Sequence, residues 1–449
     1  MILLSAPIKG SLVALFGSVF GPALAAQESA DIAAPMNGAQ VALEDHSVGR
    51  AKSLILAGRS AEARAMLQNL ATRDPASNEI DFLLGLLAVE GKDYDEAIRR
   101  FRAILVREPK AIRVRLELAR AFYLDKDYAN AFRNFQFARA GNLEAGVAAS
   151  IDRYLAAIRL EKNWSYNVSV AIAPDTNINN ATSEREAIVF GLPFELGDDA
   201  RRRSGIGLAV EGGAEFAPRI AGRARMRLGG AIQRREYDGG EFDDTTFALN
   251  AGPRFVLKRW DLSFVGTGFR RWFGGRRLNE GWGARLDANY YRDARTTLTF
   301  GLAAQDIRYP NQPLHSGAAY SVWGGGVRAL TASSSLTARV GVSRKEARVS
   351  DLANWSGSVA VGYYRDFRGG FSVYAEPSYV RSRYDEPDAF FDTRRSDSSF
   401  ELQLALLNRR IVLSRFTPRV SYTFARRWST IELFDFTQHR FEVGLTSTF

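Results

Sequence analysis

Two patterns of apolar and polar residues divide the chain. From residue 44 to residue 162 apolar residues recur at helical spacing, whereas from Trp164 onward short segments alternate apolar with polar or small residues. The first pattern is typical of amphipathic helices, and the second of strands with one apolar and one polar face. The sequence therefore predicts a helical domain over 44–162 and a β domain over 163–449.

The helical part repeats with a period of 34 residues, which is the length of a tetratricopeptide repeat. Small residues stand at the predicted helix–helix contact, and large apolar residues follow four positions later: Ala63, Ala97 and Ala131, then Leu67, Phe101 and Phe135. Pro75 and Pro109 end two of the repeats, and Leu143 takes that place in the third. This pattern predicts an α-solenoid of three repeats. A capping helix is predicted over 144–162, because the open end of such an array needs a cover.

Two interpretations of the repeats remain open from the sequence. Their concave face could bind a peptide or protein, since stacked helix pairs present an extended surface of this kind. Alternatively, the repeats could be a passive spacer or a plug for the barrel mouth.

Alternation with lipid on one side and water on the other is the pattern of transmembrane β-strands. The sequence predicts a 14-stranded antiparallel transmembrane β-barrel, an even number as expected for a bacterial barrel of one chain. A soluble β-sandwich is the alternative, but it would not need aromatic residues along nearly every strand. The predicted strands are 164–173, 204–216, 224–237, 244–257, 260–273, 278–292, 295–309, 316–330, 334–348, 353–367, 370–384, 397–413, 416–428 and 438–449.

The last predicted strand shows the alternation most clearly. One face carries apolar side chains, and the other is polar or small: Phe441, Val443, Leu445 and Phe449, against Arg440, Glu442, Gly444 and Thr446. A terminal aromatic residue on such a strand resembles the signal that the barrel assembly machinery of the bacterial outer membrane reads. That machinery is therefore a predicted partner.

The lengths of the connections predict the orientation of the barrel. The links over 174–203 and 385–396 are long, whereas those over 258–259 and 414–415 are short. Periplasmic turns are short and extracellular loops are long. We therefore expect the helical repeats in the periplasm and the long loops on the cell surface.

Four arginines fall on the predicted lumenal faces of strands: Arg225, Arg227, Arg235 and Arg339. They are candidates for steering acidic segments of a transported molecule. A charge lattice that stiffens the wall is the alternative.

The first 25 residues have the features of a secretory signal peptide. Lys9 precedes an apolar run that ends in small residues at Ala23 and Ala25. We predict a flexible linker over 26–43 and localisation in the bacterial outer membrane. The net charge of +10 fits basic residues that line a lumen or face lipid phosphates, so outer-membrane lipid is a predicted partner and nucleic acid is not.

The residue types of the chain do not indicate catalysis. It has no cysteine, which excludes thiolate metal sites and disulfides, and its three histidines are His46, His315 and His439. None of them has the spacing of a metal site, and no Gly-x-Ser-x-Gly motif is present. We therefore predict no catalytic residue, no cofactor and no metal.

The segment after the first predicted strand supplies the most distinctive motif: Asp175, Thr176, Asn177, Ile178, Asn179 and Asn180. Together with the preceding Trp164 and the repeats, it resembles the surface lipoprotein assembly modulators, known as Slam proteins. The resemblance implies an outer-membrane translocator that delivers lipoproteins or related secreted proteins to the cell surface. It implies such a client as partner, with periplasmic chaperones as further candidates. The alternative is a tetratricopeptide-barrel porin that exports a polysaccharide or passes small solutes.

Overall fold

The computed structural model describes residues 38–447, apart from 190, 191, 412, 414 and 415. The predicted signal peptide and Phe449 lie outside the described residues. Seven helices come first along the chain: α1 Gly38–Leu56, α2 Ser60–Arg73, α3 Asn78–Glu90, α4 Tyr94–Arg107, α5 Ile112–Leu124, α6 Tyr128–Arg139 and α7 Ala145–Glu161.

The turn between the two helices of each pair recurs with the 34-residue period. Gly58, Lys92 and Lys126 all have positive φ, at 72°, 60° and 64°. In the second and third pairs the next residue is an aspartate, Asp93 or Asp127, whose side chain accepts a hydrogen bond from a backbone N–H in the first turn of the following helix. The same local backbone therefore joins each pair, as expected of true structural repeats.

The predicted contact residues form the core of this domain. Ala63, Ala97 and Ala131 are fully buried, and the large residues Leu67, Phe101 and Phe135 pack beside them. Small residues at these positions allow the helices to approach closely. Tetratricopeptide-type helical packing is thus confirmed.

Strands make up the rest of the chain: β1 Trp164–Asp175, β2 Glu186–Val189, β3 Leu192–Glu195, β4 Gly205–Phe216, β5 Arg219–Ala221, β6 Ala224–Tyr237, β7 Asp244–Val256, β8 Trp260–Phe273, β9 Arg276–Tyr291, β10 Thr296–Arg308, β11 Gly317–Thr331, β12 Ser334–Lys345, β13 Asn354–Asp366, β14 Phe371–Pro387, β15 Arg394–Asn408, β16 Thr417–Ser429 and β17 Phe436–Thr446. Strands β2 and β3 form a separate hairpin, and β5 is a short addition beside β6.

The fourteen long strands close into an antiparallel barrel. Each pairs with its neighbours along the chain, β4 pairs with β6, and β1 pairs with β17 to complete the circle. Apolar side chains such as Val340 and Val443, 59% and 58% exposed, lie on the exterior. That surface is typical of transmembrane barrels. No helix among the described residues is both long and apolar enough to cross a membrane.

The predicted barrel of 14 antiparallel strands is confirmed, and the differences are shifted ends of elements and one additional hairpin. Helix α1 begins at Gly38, so the part of the predicted linker over 38–43 is helical. The loop predicted over 385–396 is shorter, because β14 continues to Pro387 and β15 starts at Arg394. Likewise, the hairpin of β2 and β3 occupies part of the predicted loop 174–203.

Candidate functional site

The helical domain lies against one end of the barrel, which we call the helix-side rim. This rim holds the chain turns that precede β6, β8, β10, β12, β14 and β16. The helices contact an arc of it that runs from the turn before β6 to the turn before β14. The opposite end, which we call the far rim, includes the long segment between β1 and β4.

A buried ion pair joins the two domains at one end of this arc. Arg115 of α5 donates to Asp366 at the end of β13 with an N–O distance of 3.0 Å, and both side chains are almost completely buried. Asp366 also accepts hydrogen bonds from the hydroxyls of Tyr364 and Ser372, at 2.6 Å and 2.8 Å. Arg409, from the turn before β16, lies 3.5 Å from the same carboxylate.

Several groups hold the Arg115 guanidinium on its own side of the interface. It donates to the carbonyl of Pro109 and to the side chain of Asn134, and it lies over the ring of Phe137. Burial lowers the pKa of Arg115 from its ordinary value, and the charge of Asp366 opposes that shift. The site is therefore a fully desolvated charge cluster, in which each charge depends on its partner.

Aromatic rings and backbone carbonyls extend the contact along the rim. Phe137 stacks on Tyr364 with ring centroids 5.8 Å apart, and Phe132 meets Tyr291 edge to face at 6.0 Å. The Arg159 guanidinium of α7 lies 4.3 Å from the centre of the Tyr291 ring and donates to the carbonyl of Lys258. This combination of apolar and polar contacts resembles a stable domain interface.

Three of the four predicted lumenal arginines form ion pairs inside the barrel. Arg227 reaches Glu215 and Asp287, each at 2.8 Å. Because two strands separate β6 from β9, the bond to Asp287 can form only across the inside of the wall. Similarly, Arg235 lies near Glu211 and Glu442, and Arg339 pairs with Glu376. This pairing supports the wall-stabilising interpretation more than the steering one.

Arg225 has a different position from the other three. Its buried side chain donates to the carbonyls of Leu160 and Ala217 and to the side chain of Asn163. It therefore fixes the connection between α7 and β1 at the helix-side rim. The sequence pattern could not show this contact, because it depends on how the domains meet.

The Asn-rich motif folds over the far end of the junction between β1 and β17, which we call the seam. Asn177 is fully buried, and its side-chain amide donates to the carbonyls of Ala181 and Thr437 at 2.9 Å and 3.0 Å. Gln438 of β17 in turn donates to Asp175 at 2.8 Å and to the Asn177 carbonyl at 2.9 Å. The motif thus connects the end of the first strand to the start of the last one.

Further contacts of the motif reach the loop before β4. The backbone N–H groups of Thr176 and His439 each donate to the other residue, and Asn179 bonds the backbone of Arg201 and Arg203. Asn180 has a φ of 49°, a left-handed conformation that asparagine tolerates better than most residues. The motif is rich in asparagine because short amide side chains can bond backbone groups that have no backbone partner in this irregular segment.

The seam is the shortest pairing between barrel strands. Among the described residues, β1 and β17 share five register pairs, from Ser169 with Thr446 to Asp175 with Arg440. By contrast, β1 and β4 share twelve. Gly444 is needed in the seam, because a side chain there would collide with the backbone of Val170 and Ala171. Phe441, Val443 and Leu445 lie on the exterior beside it.

No metal site marks the described residues. No group of three or more metal-ligating side chains is found among them. An apolar exterior groove of about 680 Å³ lies across β1, β4 and β6 to β9, with Trp164, Phe216 and Trp282 among its lining residues. We therefore take the helix-side rim and the seam as the candidate functional regions.

A tetratricopeptide-repeat domain that is docked on a 14-stranded barrel of the outer-membrane type defines the class of this protein. Within that class, the chain belongs to the surface lipoprotein assembly modifier family. The family model with that description matches residues 164–449, and a tetratricopeptide-repeat model matches residues 48–98 and 82–136. The family that the Asn-rich motif and the repeats resemble is thus confirmed.

Relatives of the same name are distant in sequence but similar in extent. Surface lipoprotein assembly modifier 1 of Haemophilus influenzae is 20% identical over 79% of this chain and 74% of its own. The protein of that name from Neisseria meningitidis serogroup B is 22% identical over 81% and 75%. A crystal structure of a Pseudomonas aeruginosa FadL homologue aligns with 71% of this chain and 94% of its own, with 12% identity and a TM-score of 0.38. That structural likeness is too low to support a functional argument.

Proposed function

We propose that this protein delivers lipoproteins from the periplasm to the cell surface through the outer membrane. The observation that carries the proposal is the family match over the whole barrel, together with relatives that are named for surface lipoprotein assembly. The barrel provides the passage, and the helical domain acts at its entrance. A polysaccharide or solute porin is the alternative, but the family match does not favour it.

The orientation follows from the connection between the two domains. Helix α7 leads directly into β1 through Lys162 and Asn163, so the helices and the start of β1 lie on one side of the membrane. The long segment between β1 and β4 is then at the cell surface, as extracellular loops usually are. This argument supports a periplasmic location for the repeats.

The docked helices define the resting state of the proposed passage. They cover an arc of the entrance and are held there by the Arg115–Asp366 pair and the aromatic contacts at Tyr291 and Tyr364. In the proposed passage, the client displaces them from this arc as it enters the lumen. Export therefore includes a step in which the helical domain leaves at least part of the rim.

The first helices of the second and third repeat pairs, α3 and α5, offer a surface for the client. Phe82 and Leu86 of α3 and Leu116 of α5 are half-buried apolar side chains. The Arg113 guanidinium lies 5.3 Å from the centre of the Phe82 ring. A face that combines apolar side chains with arginine fits an extended polypeptide better than it fits a sugar polymer.

The proposal is tested by deleting the gene and measuring which lipoproteins a protease can remove from intact cells. We expect at least one lipoprotein to lose surface exposure while its total amount stays constant, and the full-length chain to restore it. Constant total amount separates failed export from failed synthesis. Unchanged surface exposure of every lipoprotein would contradict the proposal.

A further inference from the structure

Arginines on the exterior of the barrel form a distinct set near the far rim. Four of them lie within ion-pair distance of a carboxylate on the same surface: Arg234 with Glu236, Arg270 with Glu280, Arg308 with Asp306 and Arg344 with Asp385. Such pairs neutralise the arginine where it faces the membrane, because an unpaired charge on the lipid-facing surface destabilises a barrel.

Arg381 and Arg383 differ from this set. Both are exposed on the exterior face of β14, two residues apart. Neither forms an ion pair with a carboxylate of the described residues. The nearest acid along the strand, Asp385, already accepts two hydrogen bonds from Arg344, at 2.7 Å and 2.6 Å.

The surroundings of the two arginines are polar for an exterior surface. Arg381 donates to the hydroxyl of Ser398 on β15, and the Tyr379 hydroxyl donates to the same oxygen at 3.1 Å. Trp355, beside Arg383 in the sheet register, is 56% exposed. Tryptophan, tyrosine and arginine together are typical of the level of the lipid headgroups.

The position of the two arginines along β14 agrees with the level of the lipid headgroups. Phe371, an exposed aromatic residue at the helix-side rim, and Arg381 are ten residues apart. At about 3.3 Å per residue and a strand tilt of about 40°, ten residues span about 25 Å, which is the height of the apolar band of such barrels. The two guanidinium groups therefore reach the opposite membrane interface.

We infer that Arg381 and Arg383 form a binding site for the phosphate groups of a phosphorylated glycolipid in the outer leaflet. Two adjacent guanidinium groups bind phosphate oxygens through paired, charge-assisted hydrogen bonds. The choice of the outer leaflet rests on the orientation given under the proposed function, whereas the preference for phosphate rests on the site alone.

The test compares full-length wild-type protein in detergent with the variants R381Q/R383Q and R270Q/R308Q. The second variant is the matched control, because it removes two exterior arginines that have carboxylate partners. The probes are bisphosphorylated lipid A, the same lipid without phosphates, and inorganic phosphate. The readout is the concentration of each probe that gives half of the maximal rise in the unfolding temperature of the barrel.

We expect bisphosphorylated lipid A to stabilise the wild type and the control equally. R381Q/R383Q should need a roughly tenfold higher concentration, since hydrogen bonds to a charged group are lost.

Three results would overturn the inference: an unchanged response of R381Q/R383Q, equal stabilisation by the dephosphorylated lipid, or the full effect with inorganic phosphate alone. If R381Q/R383Q does not fold, R381K/R383K keeps the charge and is tested in its place, with the same expectation of weaker binding because lysine cannot form the paired bonds.

The orientation of the barrel in the membrane is tested by a separate experiment. The turn over 388–393, between β14 and β15, contains the exposed Ala389. A389C provides the only thiol in the chain, so a membrane-impermeant maleimide should label it on intact cells. Absence of labelling would contradict the orientation and hence the outer leaflet, but not the preference for phosphate measured in detergent.

Discussion

At the scale of single residues, the most consequential contact is the ion pair between Arg115 and Asp366. Both groups are removed from water, and the pair connects residues 251 positions apart in the sequence. Removing one partner of a buried pair is costly, because the other charge stays buried without compensation. The attachment of the helical domain to the barrel therefore depends on this carboxylate.

Replacing Asp366 with alanine should weaken docking of the helical domain by about 3–5 kcal/mol. Arg115 and Arg409 would then face each other without a carboxylate between them. The measurement is the rate of proteolytic cleavage at the connection around Lys162, which should rise in D366A. R120A removes an exposed ion pair from the same helix and should leave the rate unchanged, as surface pairs contribute little. Equal rates in D366A and wild type would contradict this account.

Asn177 provides a second test at this scale. N177A would remove the side-chain partner of three backbone groups: the carbonyls of Ala181 and Thr437 and the N–H of Ala181. Each lost bond of this kind costs about 1–3 kcal/mol. We expect a lower temperature for the heat-induced mobility shift of the barrel in gel electrophoresis. N311A, in the exposed loop before β11, should keep the wild-type temperature; a similar decrease in both variants would show that the motif does not hold the seam.

At the scale of elements, the helix contacts and the barrel strands were predictable, because the spacing of apolar residues shows which face of a single helix or strand is apolar. The end of β15 was not, since the apolar residues Ile411 and Leu413 follow Asn408 in the turn at the helix-side rim. The hairpin of β2 and β3 escaped prediction because it is a sheet separate from the barrel and β3 is exposed at all four positions. The fold of the Asn-rich motif also depends on partners that lie 260 residues away.

Helix packing is tested by a pair of glycines with opposite expectations. A Cβ at Gly85 would lie 2.6 Å from the Phe101 ring, whereas a Cβ at Gly146 of α7 would contact nothing within 4 Å. G85A should therefore destabilise the helical domain by about 1–3 kcal/mol through overpacking. G146A should stabilise it by up to about 1 kcal/mol, because alanine favours helix. Thermal unfolding of the full chain, followed by the helical circular dichroism signal, measures both; a stabilising effect of G85A would contradict the packing described.

At the scale of the whole molecule, two closures define the resting state. The motif and the β1–β17 pairing close the wall, and the docked helices cover part of the entrance. Neither closure was predictable in detail, because each joins segments that are far apart in sequence. The sequence analysis left two interpretations of the repeats open, a binding surface and a plug for the barrel mouth. The docked position of the helices is compatible with both.

The most direct measurement of the proposed transport is lipoprotein display while the helical domain is held on the barrel. The chain has no cysteine, so a cleavable thiol-specific cross-linker can join Q136C/T297C between α6 and β10, where Nε2 of Gln136 and Oγ1 of Thr297 lie 3.4 Å apart. S60C/E90C carries the same reversible cross-link within the helical domain and serves as the control. A client lipoprotein is induced after cross-linking, and its exposure to protease on intact cells is followed.

We predict that cross-linked Q136C/T297C fails to display the client and that cleavage of the cross-link restores display, whereas S60C/E90C displays it throughout. Display at the wild-type rate by fully cross-linked Q136C/T297C would show that the helices need not leave the rim, and would contradict the proposed passage.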